Sequence, residues 1–321
     1  MKCRICNNKE NNKKYLGKDK WFGKEEGFNY FQCSSCDCLQ IEKYPLNISE
    51  YYPNEDYYSF QSSEKINNNK LSLRKYVVRL RDKYAVFGKG VIGKLLFLAN
   101  PTNVYNMLAI PKVNKNTKII DVGCGDGSWL HMLREMGFEN LLGTDPFLAK
   151  KIEYKNGLNI LNKDIFQIKD KFEIVSLRNS FEHMPDPLKV LNHVQSLLSD
   201  NGYCVIRIPI VSYAWKHYKE NWIQFDAPRH FYLHSVESMK IVADQAGFNV
   251  CNVLYDAGML QFYGSEQILK NIPLHSDGSY MNDPINSIFS KKDISNFKAK
   301  TIELNKNKQG DVAIFFLKKK K

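Results

Sequence analysis

The chain predicts an α/β fold: a seven-stranded, mostly parallel sheet covered by helices on both faces, behind a small cysteine module and a helical connector. Three observations carry that expectation. A short β-branched run, Lys118 to Val122, leads directly into glycines at 123, 125 and 127 and then into an amphipathic helix. Strand-like apolar runs alternate with stretches of helical spacing from there to about residue 255. Two Cys-x2-Cys pairs, Cys3/Cys6 and Cys33/Cys36, stand ahead of everything else.

The glycine stretch comes first because the rest is arranged around it. Residues 117–128 read as strand, glycine loop and helix start, the first βα turn of a nucleotide-binding unit. Trp129, Leu130, Met132, Leu133 and Met136 continue at helical spacing until Gly137 stops them. A dinucleotide fingerprint needs its third glycine where Ser128 stands, and a phosphate-cradling loop needs a Gly-Lys-Ser/Thr ending that is missing. In their place stand two acids. Asp121 lies on the strand, and Asp145 ends the next apolar run, Leu141 to Asp145, twenty residues beyond Gly125. A carboxylate there can accept both hydrogen bonds of a ribose diol.

The later elements follow in order. Residues 147–155 are expected to be helical and Gly157 to Leu161 a third strand, with Asp164 and Ile165 at its carboxyl end to meet an adenine amino group and ring. Phe172 to Leu177 is a fourth strand running into Arg178-Asn179-Ser180-Phe181-Glu182-His183-Met184-Pro185-Asp186-Pro187. A helix from Leu188 ends at Asn201-Gly202, and Tyr203 to Ile208 is the fifth strand. Ser235 caps a helix reaching Ala246. Phe248 to Leu254 and Asp311 to Leu317 supply strands six and seven, with a helix at Gln261 to Ile268 and a loop at 277–290 between them.

Over residues 117–255 and 311–317 this pattern resembles the class I S-adenosylmethionine-dependent methyltransferases. The glycine loop carries the resemblance. So do Glu182-His183 followed by Asp186-Pro187, and the stretch Trp222 to Ser235 with Pro228-Arg229-His230 and His234-Ser235. The resemblance implies a Rossmann-like methyltransferase sheet whose last strand is an antiparallel edge. It also implies S-adenosylmethionine held by Asp121, Gly123, Cys124, Gly125, Asp145, Pro146, Asp164, Ile165 and Asn179. The Trp222–Ser235 stretch looks like a subfamily associated with sugars and surface glycans. The cysteine module is similar to that of sugar C-methyltransferases, whose long additional C-terminal domain is not expected from this sequence.

A hydroxyl acceptor gains from a base that titrates near neutrality, and histidine is the natural one. His183, His230 and His234 are expected in loops at the carboxyl edge of the sheet, and His183, His230 and Glu182 are the expected catalytic groups. His183 serves either as the base or in a hydrogen bond to a backbone carbonyl; His234 belongs to the helix cap, and His131 is structural. Arg229 or Arg178 either clamps an anion or forms salt bridges inside a lid. No second metal site is expected beyond the cysteines.

Residues 1–45 are read as a zinc-ribbon module in which Cys3, Cys6, Cys33 and Cys36 hold a structural zinc and Cys38 is a spectator. Disulfides are the alternative, which a reducing cytoplasm disfavours. Residues 46–116 form a helical connector or cap, and 117–321 the catalytic domain with a lid insertion at about 210–235. The basic apolar stretches at 71–99 suit either a cap over the cleft or peripheral membrane contact. The formal charge of +12 favours an anionic partner, although the lysines are scattered. With no 18-residue apolar run and no signal peptide, the expected location is the cytoplasm. The expected acceptor is a small molecule or glycan, a hydroxyl of a nucleotide sugar or surface polysaccharide. Lipid or quinone head groups, sugar carbon and RNA are the alternatives. Nucleic acid is not favoured, because Asn179-Ser180-Phe181-Glu182 stands where amino-methylating enzymes carry an Asn/Asp-Pro-Pro-aromatic tetrapeptide.

Overall fold

The computed structural model describes residues 1–22, 26–52, 73–102 and 104–320. The sequence of the connector reads as an aromatic run, Tyr51, Tyr52, Tyr57, Tyr58 and Phe60, followed by a loop at Asn67 to Asn69; of these, Tyr57, Tyr58, Phe60 and the loop lie outside the described residues. The chain divides into two compact units. One comprises Met1–Tyr51, Phe181–Leu188 and Ile208–Ile314; the other comprises Tyr52–Ser180, Lys189–Arg207 and Phe315–Lys321.

The second unit contains the helices α1 (Leu73–Phe87) and α2 (Val91–Ala99) and the parallel strands β4 (Ile119–Val122), β5 (Leu141–Thr144), β7 (Asn159–Leu161) and β8 (Phe172–Arg178). Ile119, Ile120 and Val122 are almost wholly buried, as expected of strands covered on both faces. Helix α3 (Ser128–Met136) begins after Gly127 and ends at Gly137, both left-handed. It buries Trp129, Leu130, Leu133 and Met136. Gly143 has no room for a side chain: a Cβ there would come within 2.5 Å of Ile160 and 2.7 Å of the Cys124 sulfur. Helix α4 (Pro187–Leu197) leads into β9 (Leu198–Pro209), which pairs in parallel with β8.

Strand order in the larger sheet is β11-β12-β9-β8-β4-β5-β7-β6, so it has eight strands and not the seven expected. The extra strand, β6 (Ile152–Glu153), lies antiparallel to β7 within the stretch expected to be helical. A tight turn accounts for it. Gly157, with φ of 81°, donates back to the Tyr154 carbonyl, and Tyr154 N–H bonds to the Leu158 carbonyl. The last strand, β12 (Val312–Lys319), is not an edge either: it lies between β9 and β11 (Phe248–Tyr255). Val312 to Leu317 are all buried, the composition of an interior strand.

The first unit carries a four-stranded sheet in the order β1-β2-β3-β10, from Lys13–Lys18, Gly27–Gln32, Leu39–Ile41 and Tyr232–Leu233. The expected lid therefore ends as a strand of the cysteine module's own sheet, with Tyr232 opposite Gln40 and Leu233 opposite Leu39. Before β10 lie α5 (Tyr213–Tyr218) and two single 3-10 turns. After it come α6 (Val236–Gln245), capped by Ser235, then α7 (Leu260–Leu269) and α8 (Lys291–Lys306). Among the described residues no helix is long and apolar enough to cross a membrane.

Candidate functional site

The expected cofactor residues fall at the carboxyl ends of β4, β5, β7 and β8, all within the second unit. Gly123 and Cys124 donate to the Thr144 carbonyl at 2.8 and 3.3 Å, which ties the glycine loop to the end of β5. Gly123 sits at φ of 69°, and a Cβ on it would stand 2.5 Å from that of Ser180. Ser180 is held there by its own bond to the Val122 carbonyl, 2.6 Å long. The backbone at this point is bare because its surroundings require it.

Asp145 accepts from Gly125 N–H at 2.8 Å through one oxygen and from Phe147 N–H at 2.9 Å through the other. Each carboxylate oxygen keeps a second lone pair for a diol. Burial raises the Asp145 carboxyl above its usual range, against the two backbone N–H bonds. Asp121 is buried and accepts from the Ser176 hydroxyl; burial pushes its carboxyl up to about 7. Cys124 lies beside them with its thiol raised, chiefly by burial and then by Asp121. Pro146 and Phe147 are exposed at the rim. Asp164 is exposed and caps a 3-10 turn by accepting from Phe166 N–H at 2.9 Å, while Ile165 beneath it is buried. Asn179 is exposed, left-handed at φ of 52°, and accepts from Arg207 at 2.8 Å. Two acids at neighbouring strand ends, a side-chain-free loop and an exposed apolar rim suit an adenosine carrying a short amino-acid tail.

The expected catalytic groups gather in the first unit. Glu182 and His230 are buried and His183 is half-buried, with the two imidazole rings 4.7 Å apart. His183 Nδ1 donates to the Arg229 carbonyl at 2.9 Å, and His230 Nδ1 donates to the Gln224 carbonyl at 2.8 Å. Both Nε2 atoms thereby carry the lone pair. His230 Nε2 is 4.0 Å from Glu182 Oε1 and 3.6 Å from Asp226 Oδ2. Burial pushes both histidines down to about 3, so both are neutral at pH 7, with basicity well below the neutral range expected. Glu182, His183 and His230 offer ligand atoms all within 4.8 Å of one another.

The open question at Arg229 resolves toward internal pairing. Its guanidinium is fully buried, donates to Asp226 and to Asp19 at 2.9 Å, and lies over the Phe22 ring at 5.2 Å. Sequence reading missed Asp19 and Asp226. The Asp226-x-x-Arg229 spacing was a visible signal for one; nothing local marks the other. His234 is buried against Ser238 at 3.0 Å, beside the helix cap as expected.

Cys3 and Cys36 sulfurs are 3.7 Å apart, and Cys6 and Cys33 sulfurs 3.5 Å apart. A disulfide requires about 2.05 Å. Sulfurs placed tetrahedrally about 2.3 Å from a zinc lie about 3.8 Å from one another, so the set fits that ion. Gln40 and the Ile5 N–H donate to Cys3 at 3.2 and 3.4 Å, the kind of support that orients a thiolate ligand. Cys38 is buried outside the group of four.

Comparison with known proteins agrees with this geometry. Residues 96–253 match a family described as methyltransferase domain. Just under half of the chain is thus similar to a methyltransferase domain. Among curated relatives, it is 26% identical over 116 residues to a tRNA U34 carboxymethyltransferase of Nautilia profundicola, spanning 32% of this chain and 37% of that one. It is 31% identical over 100 residues to a ubiquinone biosynthesis O-methyltransferase of Haemophilus ducreyi, spanning 26% and 42%. The chain therefore spans less than half the length of these relatives. A solved magnesium protoporphyrin IX methyltransferase from Synechocystis, with S-adenosylhomocysteine bound, is 16% identical, covering 68% of this chain and 95% of that one at a TM-score of 0.40.

Proposed function

We propose that the chain as a whole is an S-adenosylmethionine-dependent O-methyltransferase whose acceptor is a sugar hydroxyl, in a nucleotide sugar or a surface polysaccharide. Two features carry the reading, each within its own unit: the Asp121/Asp145 glycine loop and the Glu182/His183/His230 cluster. A hydroxyl must shed a proton as it is methylated, and the cluster offers two imidazole lone pairs and a carboxylate that can polarise the hydroxyl directly or through an ion they hold. The loop after β8 lacks the tetrapeptide of amino-methylating enzymes, which weighs against a nitrogen acceptor. When bound, S-adenosylmethionine supplies an electrophilic methyl group. Asp145 would hold its ribose, Asp121 and the 123–125 backbone its amino-acid tail, and Asp164, Ile165 and Asn179 its adenine side.

We infer that Cys3, Cys6, Cys33 and Cys36 hold a structural zinc with no part in the chemistry, since four protein ligands close the coordination shell. The protein is placed in the cytoplasm on this reading. The test is incubation of purified protein with labelled S-adenosylmethionine and a panel of nucleotide sugars, followed by mass spectrometry. A singly methylated sugar supports the reading. Methylation of RNA or of a quinone in its place refutes the acceptor class, and binding of a nicotinamide dinucleotide with no heat from S-adenosylhomocysteine refutes it altogether.

A second reading, a lipid or quinone head group as acceptor, is favoured by α2, where Val91, Ile92, Leu95 and Leu98 are all more than 60% exposed around Lys94. Flotation with anionic liposomes tests it: a chain that stays at the bottom of the gradient excludes membrane contact through residues 71–99.

A further inference from the structure

We propose that Glu182, His183 and His230 form a binding site for one divalent metal ion of the Mn²⁺, Fe²⁺, Co²⁺ or Zn²⁺ type, separate from the four cysteines. Two imidazoles and one carboxylate are a recurrent N/O donor set for such ions. The ligand atoms lie within 4.8 Å of one another, with Glu182 Oε1 and His230 Nε2 at 4.0 Å. Metal–ligand bonds of about 2.1 Å place neighbouring ligands about 3 to 3.5 Å apart. The ligand atoms stand about 1 Å wider than that, and binding an ion would have to draw them in.

Three features argue that this is a built site and not three polar residues meeting by chance. Each histidine donates Nδ1–H to a backbone carbonyl, at 2.9 Å from His183 and 2.8 Å from His230. That is the second contact that fixes the tautomer and leaves Nε2 as the ligand atom. The Gln224 and Arg229 carbonyls that do this belong to one loop. That loop is secured by Arg229 on Asp19 and Asp226 and by Tyr30, whose hydroxyl donates to the His230 carbonyl at 2.8 Å. Charge supplies the third feature. Two buried carboxylates, those of Glu182 and Asp226, lie within 4.0 Å of His230 Nε2, so a cation bound there would have oxygen donors on two sides.

An ion with three protein ligands keeps positions open for oxygen donors, and adjacent sugar hydroxyls form such a pair; that occupant rests on the acceptor class proposed above. The site itself does not, and its test needs no turnover. The full chain, its cysteines loaded with zinc, is titrated with Mn²⁺ while the free-ion signal is followed by electron paramagnetic resonance; thiolate sites take this ion poorly. The expected result is one Mn²⁺ per chain, with affinity reduced at least tenfold in Glu182→Gln and in His183→Ala. His183 is half-buried, so its alanine variant is expected to keep the wild-type circular dichroism, and loss of binding there is not loss of fold. Undiminished free signal in the wild type, or equal binding in both variants, overturns the site. Heat from S-adenosylhomocysteine is measured on the same samples. If it persists while Mn²⁺ fails to bind, the metal site alone falls; if Mn²⁺ binds and that heat is absent, the methyl-transfer reading falls and the site stands.

Discussion

Two regions of this molecule bury acids, and they handle the resulting cost differently. In the glycine-loop region, Asp121 and Asp145 are supported by neutral donors, the Ser176 hydroxyl and the N–H groups of Gly125 and Phe147. Their carboxyls titrate high, which leaves them responsive to a ligand. In the region of the four-stranded sheet, Asp19 and Asp226 are clamped by a buried guanidinium. That arrangement is rigid, and the residues beside it, Glu182, His183 and His230, inherit fixed positions. An acid that answers to a ligand stays partly unpaid; one that builds a frame is paired outright.

The largest test of the contrast is Arg229→Met. Leaving two carboxylates buried without their cation is expected to cost about 3–5 kcal/mol, seen as a fall in the denaturant midpoint or as failure to fold. Next is Gly123→Ala, which forces a left-handed alanine into Ser180. A loss of about 2–4 kcal/mol is expected, together with loss of S-adenosylhomocysteine binding. Asp145→Ala leaves the fold intact and removes two charge-assisted contacts to a diol. Calorimetry is expected to show affinity for S-adenosylhomocysteine falling about 10- to 100-fold; unchanged affinity would remove Asp145 from the site.

The two regions are also expected to respond oppositely to pH. Asp121 keeps its proton in the folded chain up to about 7, whereas an unfolded aspartate loses it near 4, so its contribution declines as pH rises through that interval. His234 is held neutral in the fold down to about 3, so stability is lost as pH falls from about 6.5 toward that value. Asp121→Asn should flatten the neutral side of the stability profile. His234→Gln should flatten the acid side, by up to about 1.4 kcal/mol per pH unit. Identical profiles for these variants and the wild type would contradict both assignments. The smallest effect is expected at Asp164→Ala, the loss of an exposed cap worth about 0.5–2 kcal/mol.

The glycine-loop region was legible because its signals are local. Strand composition, glycines at alternate positions and an acid at the end of the next strand are all read within a few tens of residues. Misreadings there also had local causes: the turn at Gly157 converts an expected helix into a two-residue strand, and only pairing shows that β12 is interior. The second region resisted because its logic is long-range. Asp19 meets Arg229 across two hundred residues, and Leu39 pairs with Leu233. Glu182, His183 and His230 could be named from motif and residue type. That they share one small space, that their imidazoles are desolvated, and that Arg229 is internally paired follow only from the folded chain.

The sheet in which Tyr232 and Leu233 pair with Gln40 and Leu39 has a practical corollary. The cysteine module does not hold all of its own strands, so a fragment ending at residue 45 would present an unmated edge and tend to aggregate. By the same pairing, removing the zinc proposed for the cysteines should loosen amide protons near His230, far along the chain. Hydrogen exchange at that loop would then register the state of the thiolates.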